Sequence, residues 1–220
     1  MNLRKGVGFL VFGLLVAALA VAVTGCGGGD DSSAPSAEPA AAPSPPTCPK
    51  SSLASWQKLA NEIKAPVYCP SWFPQPLVGR FGGPFFNGRS VDPDRSYLVS
   101  WAWFEASGGA VQEVHVNLRG YPGQTRIPTC EDTLTVSGKT VHKKFPCFSD
   151  REGRKRLGGE TVTVYTANQG ADQWHILYAW RRNGSLYTIS EHVAPPYTYK
   201  QVIGHLDRMT STFVRIQPQT

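Results

Sequence analysis

A short segment of alternating polar and apolar residues offers the first candidate chemistry. From residue 113 to 119 every second residue is an acid, an imidazole, an amide or a guanidinium, namely Glu113, His115, Asn117 and Arg119. Successive side chains of a strand point to opposite faces, so these four share one face. Glu113 and His115 could serve a hydrolase as general acid and base. The alternative is a solvent-facing surface of a sheet whose other face forms the core.

The other patterns that indicate catalysis or metal binding are missing from the sequence. It contains no Gly-x-Ser-x-Gly elbow, phosphate-binding loop or Gly-x-Gly-x-x-Gly fingerprint. Its histidines are scattered, with no His-x-His or His-x-x-x-His pair: His115, His142, His175, His192 and His205. A metal could bind only if the tertiary structure brought distant side chains together. We therefore expect a non-enzymatic protein without cofactor or metal, and keep the hydrolase as the alternative.

Aromatic residues on two predicted strands form a second group of candidates. Trp101 and Trp103 share one face of the first strand, and Trp174, Tyr178 and Trp180 share one face of the second. We expect most of this surface to form the core under the helices. The alternative is that part of it lines a cleft for an apolar ligand.

Basic residues are concentrated between Lys139 and Arg156, where only Asp150 and Glu152 interrupt them. This segment could contact anionic lipid, another polyanion or an acidic patch of a partner. The alternative is a solvated loop and hairpin end. The formal net charge of +6 for the whole chain keeps a domain soluble and does not by itself identify a partner.

The pattern of apolar residues predicts the elements that position these candidates. Helical spacing predicts a helix at 52–64, ended by Pro66, and another at 199–213. The prolines of segment 67–77 exclude a helix or a central strand and predict an extended, irregular chain. One hairpin is predicted from strands at 97–105 and 111–119, and a second from strands at 133–136 and 140–144. A meander is predicted from strands at 161–166, 174–181 and 185–191, with a turn at Asn183-Gly184 between the last two. The sum is an α+β domain, a mostly antiparallel sheet with an N-terminal and a C-terminal helix.

The first 25 residues have the three parts of a secretory signal. Arg4 and Lys5 precede an uncharged stretch that ends in small residues. An uncleaved membrane helix is the alternative, because the apolar run is near the lower limit for spanning a bilayer. Val23-Thr24-Gly25-Cys26 resembles the bacterial lipobox, whose cysteine receives a diacylglyceryl group before cleavage in front of it. The resemblance implies that Cys26 anchors the protein to the extracytoplasmic face of a bacterial membrane, where a nucleic-acid partner is not expected.

The rest of the chain divides into a linker and one domain. Residues 26–47 form the lipidated N-terminus and an Ala/Pro/Ser linker, which lacks the large apolar residues needed for order. Residues 48–220 are predicted to be a single globular domain. Its cysteines are even in number, which in an exported protein predicts two disulfides: Cys48, Cys69, Cys130 and Cys147. Of the three pairings, we favour Cys48 with Cys69 and Cys130 with Cys147, because each closes a self-contained unit. A redox or metal site is disfavoured, since no Cys-x-x-Cys pair occurs.

The end of the chain has a second, weaker resemblance. This part consists of a strand ending in Tyr178-Ala179-Trp180-Arg181-Arg182, the Asn183-Gly184 turn, a strand ending at Ser190 and a final helix. It resembles the end of small envelope-lipoprotein domains of unknown function. Some of these are related to LolA-like and RseB-like folds, whose curved sheet holds acyl chains. The resemblance implies a sheet that could hold an apolar group, and it assigns no functional residue.

Taken together, these features predict a membrane-anchored extracytoplasmic lipoprotein whose domain is a non-enzymatic binding module. Its ligand would be apolar or lipid-like, or it would bind an envelope protein. There are two alternatives. One is a hydrolase that uses the Glu113 and His115 face, and the other is a structural or assembly subunit without a small ligand.

Overall fold

The computed structural model describes residues 44–75, 86–107, 110–167 and 174–219. Within these ranges it does not describe the side chains of 86–88, 103–107, 110–113, 136 and 167. The chain separates into Met1–Pro43 and Ser44–Thr220, and all the described residues belong to the second unit. The predicted signal at 1–25, Cys26 and the linker up to residue 43 therefore lie outside the described residues.

Two helices occupy the ends of the described chain. Helix α1 (Lys50–Ile63) buries residues at helical spacing, and it ends where Lys64 adopts a left-handed conformation with a φ of 54°. Helix α2 (Tyr199–Ser211) begins with a capping box, in which Thr198 and Gln201 each bond the other's backbone N–H. No helix among the described residues has the length and apolar content that a membrane span requires.

Most of the strands pair with a strand that is adjacent in the sequence. The strands are β1 (Val67–Pro70), β2 (Phe86–Val91), β3 (Tyr97–Ser107), β4 (Ala110–Tyr121), β5 (Thr129–Val136), β6 (Lys139–Pro146), β7 (Asp150–Leu157), β8 (Glu160–Ala167), β9 (His175–Arg182), β10 (Ser185–His192) and β11 (Phe213–Ile216). Seven of them form an antiparallel sheet in the order β2-β3-β4-β10-β9-β8-β7. Two further pairs, β1 with β11 and β5 with β6, form separate antiparallel sheets.

The antiparallel sheets and the two helices agree with the sequence prediction. The Asn183-Gly184 turn has a positive φ at both residues, 50° and 73°, as a type I′ hairpin loop requires. The segment predicted to be extended and irregular contains the short strand β1, which is not a central strand because it pairs only with β11. Two local predictions are wrong. The last helix stops at Ser211 because the chain turns into β11. The basic segment after residue 149 is not a loop but the edge strand β7.

Two clusters of buried apolar residues lie on opposite faces of the large sheet. The larger cluster joins that sheet to α1, α2 and the β1–β11 pair. The smaller one, on the other face, consists of Phe148, Tyr165, Leu177, Ala179 and Leu186. Because both helices contribute to the larger cluster, the sheet face that carries Trp101, Tyr178 and Trp180 is the face that the helices cover.

Both disulfides have the predicted pairing. Cys48 and Cys69 join the segment before α1 to β1, with 5.7 Å between their Cα atoms. Cys130 and Cys147 join β5 to the residue after β6, with 4.8 Å between their Cα atoms. The first bridge therefore lies against the main core, and the second closes the base of the β5–β6 hairpin.

Candidate functional site

The aromatic candidates of the sheet are core residues. Trp101, Tyr178 and Trp180 are almost completely buried. The ring of Trp180 lies 5.1 Å from Tyr68 and 5.5 Å from Phe213, measured between centroids. This is the packing expected for most of the aromatic surface, and it leaves these three rings no surface for a ligand. The structure does not describe the side chain of Trp103.

The hydroxyl of Tyr178 connects the core to two charged residues. It donates a hydrogen bond to Asp207 Oδ1 at 2.6 Å and accepts one from Lys155 Nζ at 2.9 Å. Lys155 Nζ also lies 2.8 Å from Asp207 Oδ1. Burial, reinforced by the Asp207 carboxylate, raises the pKa of Tyr178 well above its ordinary value. Lys155 therefore binds α2 to β7 and does not contribute to the exposed basic surface.

Trp174 differs from the other aromatic candidates. It was predicted to start a strand and to share a face with Tyr178, and this prediction is wrong. Trp174 precedes β9, has a φ of 62° and leaves 66% of its surface exposed. Its carbonyl oxygen accepts a hydrogen bond from the Val193 N–H at 2.8 Å. A left-handed conformation is strained for a bulky residue, and such strain is concentrated at functional sites.

A small pocket lies beside Trp174. It has a volume of about 200 Å³ and will be called the Trp174 pocket, with the lining residues Thr166, Trp174, His175, Ile176, Val193 and Tyr199. Tyr199, the first residue of α2, is 50% exposed. A dry cavity of roughly 150 Å³ holds benzene. The pocket can therefore accept one aromatic ring or a short aliphatic segment between two exposed aromatic side chains.

The four polar candidates Glu113, His115, Asn117 and Arg119 lie on β4, which is a central strand of the large sheet because it pairs with both β3 and β10. Asn117 is buried, and its Oδ1 accepts a hydrogen bond from Ser100 Oγ at 2.7 Å. His115 and Arg119 are half-buried, and the side chain of Glu113 is outside the description. The expectation of a solvent-facing surface is therefore wrong for Asn117, which is only 5% exposed.

Three histidines meet on this face. His192 is opposite His175 in the β9–β10 register. The β4–β10 register pairs Glu191 with Val116, which places His192 beside His115. Ring centroids are 5.1 Å apart between His115 and His192 and 5.2 Å apart between His175 and His192. The Nε2 atoms of His115 and His175 are 2.7 Å apart. We call His115, His192 and His175 the histidine row.

The geometry of the histidine row is that of hydrogen-bonded and stacked imidazoles. A neutral imidazole has one donor and one acceptor nitrogen, so one of the two facing Nε2 atoms donates and the other accepts. Within the described part of the chain, no group of three or more His, Cys, Asp or Glu side chains is arranged to hold a metal ion. The row ends at the Trp174 pocket, because the buried His175 also lines that pocket.

Sequence reasoning missed this arrangement for a specific reason. A two-residue loop at Asn183-Gly184 pairs residue 182 with 185, so counting back along the hairpin would have paired His175 with His192. The predicted strand stopped one residue short of His192. His115 could not be placed by counting, because the β4–β10 pairing joins strands that are distant in the sequence.

A buried acid and a histidine also pair at the other face of β10. Glu191 is fully buried, and its Oε1 lies 2.7 Å from His205 Nδ1 on α2. Burial raises the pKa of the Glu191 carboxyl, although the hydrogen bond to His205 opposes this shift. This contact attaches α2 to the sheet. A second acid–imidazole pair, between Glu131 and His142, lies on the β5–β6 hairpin.

The basic segment occupies β6 and β7, where most of its charged side chains are exposed. A shallow pocket of about 560 Å³ lies at the base of the β5–β6 hairpin. Its lining combines three cations with apolar side chains: Thr125, Arg126, Ile127, Thr129, Lys144, Phe145, Pro146 and Arg181. The fold thus separates an aromatic pocket at the histidine end of the sheet from a basic surface around the hairpin.

Comparisons with protein families, with curated proteins and with solved structures found no match to this chain. A fold by itself does not define a function, which depends on the site that the fold presents. The function must therefore be inferred from the two surfaces described above and from the N-terminal sequence.

Proposed function

We propose that this protein is a lipid-anchored extracytoplasmic protein whose domain binds an apolar or lipid-like ligand at the Trp174 pocket. The observation that supports this function most directly is Trp174, which is 66% exposed and has a strained backbone beside an apolar pocket. An envelope protein that inserts one apolar side chain is the alternative ligand. A hydrolase at Glu113 and His115 is not favoured, because His115 is engaged with His175.

The proposal has the following domain organisation. Residues 1–25 are the signal, Cys26 becomes the lipidated N-terminus, and 26–47 are the linker to a domain at 48–220. We assign this domain to the α+β class, which the packing of both helices into one core cluster with the sheet supports. Two or more acyl chains give a stable membrane attachment, whereas one chain does not.

The anchor has a direct test. Cys26→Ser should abolish incorporation of a labelled fatty acid, because a serine hydroxyl does not form the thioether that holds the glyceride. The measurement is metabolic labelling followed by mass spectrometry of the N-terminal peptide. A matched Thr24→Ser change keeps Cys26 and should leave labelling in place. If the Cys26→Ser protein still incorporates label, the lipid is attached elsewhere and the anchor assignment is wrong.

The Trp174 pocket suits a ligand that presents one apolar group. Tyrosine and tryptophan provide large apolar surfaces with few rotatable bonds, so little entropy is lost when a ligand orders them. Ligand sites for whole drug-sized molecules are typically about 300–1,000 Å³, and this pocket of about 200 Å³ is smaller. The remainder of the ligand would therefore lie outside the pocket, as the rest of an acyl chain or of a protein would.

Removing the exposed ring should remove binding and leave the fold intact. We expect Trp174→Ala to lower affinity for N-phenyl-1-naphthylamine, a small apolar fluorophore, by at least about 30-fold, since hot-spot aromatics contribute about 2 kcal/mol or more. Native mass spectrometry of protein purified from membranes should show a co-purified lipid-sized mass that this variant lacks. Leu53→Ala, at an apolar residue of α1 that is 42% exposed, is the control and should keep both signals. Equal binding by the two variants would contradict the proposed site.

A further inference from the structure

Most of the described side chains of the β5–β6 hairpin are exposed. The hairpin forms a two-stranded sheet that is separate from the large sheet, and most of β6 is exposed. An isolated two-stranded hairpin is only marginally stable in water. The Cys130–Cys147 bridge closes its base, so the hairpin is presented to solvent as a covalently closed unit.

Two large apolar side chains face solvent directly opposite each other near the turn of this hairpin. Leu134 and Val141 are register partners, and they are 47% and 46% exposed. Directly opposite residues of an antiparallel pair lie on the same face and contact each other. Single exposed apolar residues are normal on a protein surface, whereas this contacting pair forms a small exposed apolar patch.

Lysines flank this apolar pair on the same face. Lys139, opposite Val136, lies on the side of the turn, and Lys143, opposite Asp132, lies on the side of the base. One acid, Asp132, shares this face and lies directly opposite Lys143. The acid Glu131 belongs to the other face, where its carboxylate lies 2.8 Å from His142 Nδ1 and 3.8 Å from Lys144 Nζ. Lysine side chains place an aliphatic stem along apolar surface and keep the ammonium at the polar boundary. An apolar pair between two lysines thus fits the interface of a bilayer.

The basic character continues to the base of the hairpin. Phe145 lies on the face of Leu134 and Val141, and it lines the shallow pocket that also includes Arg126, Lys144 and Arg181. Strand β7, the next strand in the sequence, also has exposed arginines, whereas Lys155 is bound to Asp207. The hairpin surface is therefore apolar at Leu134 and Val141, with cations toward its turn and its base. Anionic lipids attract such a surface, and each lysine or arginine near the headgroups adds about fivefold to binding.

We propose that the β5–β6 hairpin docks onto an anionic lipid bilayer, with Leu134 and Val141 inserted between the headgroups and Lys139 and Lys143 at the phosphates. The setting of this contact rests on the membrane location proposed above. The contact itself depends on the hairpin and not on Cys26 or on the Trp174 pocket.

The test uses the full protein purified from membranes and reconstituted in nanodiscs, where its N-terminal segment holds it whether that segment is lipidated or spans the bilayer. Discs of phosphatidylcholine alone are compared with discs that also contain phosphatidylglycerol, at low salt. We expect amide hydrogen exchange across 129–146 to slow by at least about fivefold in the anionic discs, and high salt to reverse most of the change.

Matched variants separate the apolar and the charged contributions. Leu134→Ser with Val141→Ser should abolish the slowing, and Lys139→Gln with Lys143→Gln should reduce docking by about 25-fold, because each lysine contributes about fivefold. The controls are Leu53→Ser and Lys58→Gln on α1, which present a similar exposed leucine and an exposed lysine. Both controls should behave as the wild type. Unchanged exchange in regions outside 129–146 verifies that each variant is folded.

Two results would overturn the proposal. In one, exchange across 129–146 is the same in both kinds of disc. In the other, slowing depends on protein concentration and occurs equally in phosphatidylcholine, which would mean that the hairpin edges pair with a second copy. If Cys26 is not lipidated but the hairpin still docks, the anchor assignment fails and this proposal stands.

Discussion

Replacing Trp180 by alanine is expected to lower the free energy of unfolding by about 3–5 kcal/mol, the usual cost of deleting a buried tryptophan side chain. Trp180 is 1% exposed and packs against Tyr68, Tyr187 and Phe213, at centroid distances of 5.1, 5.8 and 5.5 Å. These rings come from β1, β10 and β11, so the cavity left by the substitution would weaken three elements at once. Urea unfolding followed by circular dichroism measures the loss.

Trp174→Ala is the control for this loss, because the same chemical change occurs at an exposed site. Surface substitutions usually alter stability by no more than about 0.5 kcal/mol, and Trp174 leaves 66% of its surface exposed. The two tryptophans therefore separate packing from binding. If Trp180→Ala were as stable as the wild type and lost only ligand, Trp180 would belong to a ligand cleft and the assignment of the core would be wrong.

The second large effect is expected from the Cys48–Cys69 bridge. Changing both cysteines to alanine should cost about 3 kcal/mol by the chain-entropy model, which depends on the length of the closed loop. The loop spans 21 residues of sequence. Cys69 is buried in the main core and Cys48 packs against it, so the lost constraint affects the element pair α1 and β1 directly. We expect the whole domain to unfold at lower urea, in one transition.

The Cys130–Cys147 bridge offers a matched comparison. Its loop of 17 residues predicts almost the same entropic effect, about 3 kcal/mol. Its surroundings differ, because it closes an exposed hairpin outside the large sheet. Removing it should accelerate amide hydrogen exchange in β5 and β6 and shift the global transition less than removal of Cys48–Cys69 does. Equal global losses without local acceleration would show that the hairpin unfolds only with the core.

Local pattern was sufficient for much of the fold. Hairpins with short loops are determined by residues that are near in sequence, which explains why β3–β4, β5–β6 and β9–β10 were all predicted. The disulfide pairing was predicted for the same reason, since each bridge closes a short loop. The strands that were missed, β1, β2, β7 and β11, carry proline, glycine, charge or a preceding helix, and none has the alternation that a half-buried strand normally shows.

The candidate site was less predictable because its residues come together through pairing across the sheet. Strand β10 pairs with β9 beside it in sequence and also with β4, which is distant. Only the second pairing brings His115 to His175 and His192. Alternation assigned Asn117 correctly to the face of His115, but it could not reveal that this face is covered.

What the sequence by itself determined is local: the short hairpins, the two bridges and the faces along each strand. The tertiary structure alone decided which faces are buried, which strands are neighbours and which aromatic residue is exposed. Trp174 illustrates the difference, because alternation placed it with Tyr178, whereas the backbone at the start of β9 turns it into solvent. The physical reason is that side-chain alternation depends on adjacent peptide units, while burial and strand order depend on contacts between segments far apart in the chain.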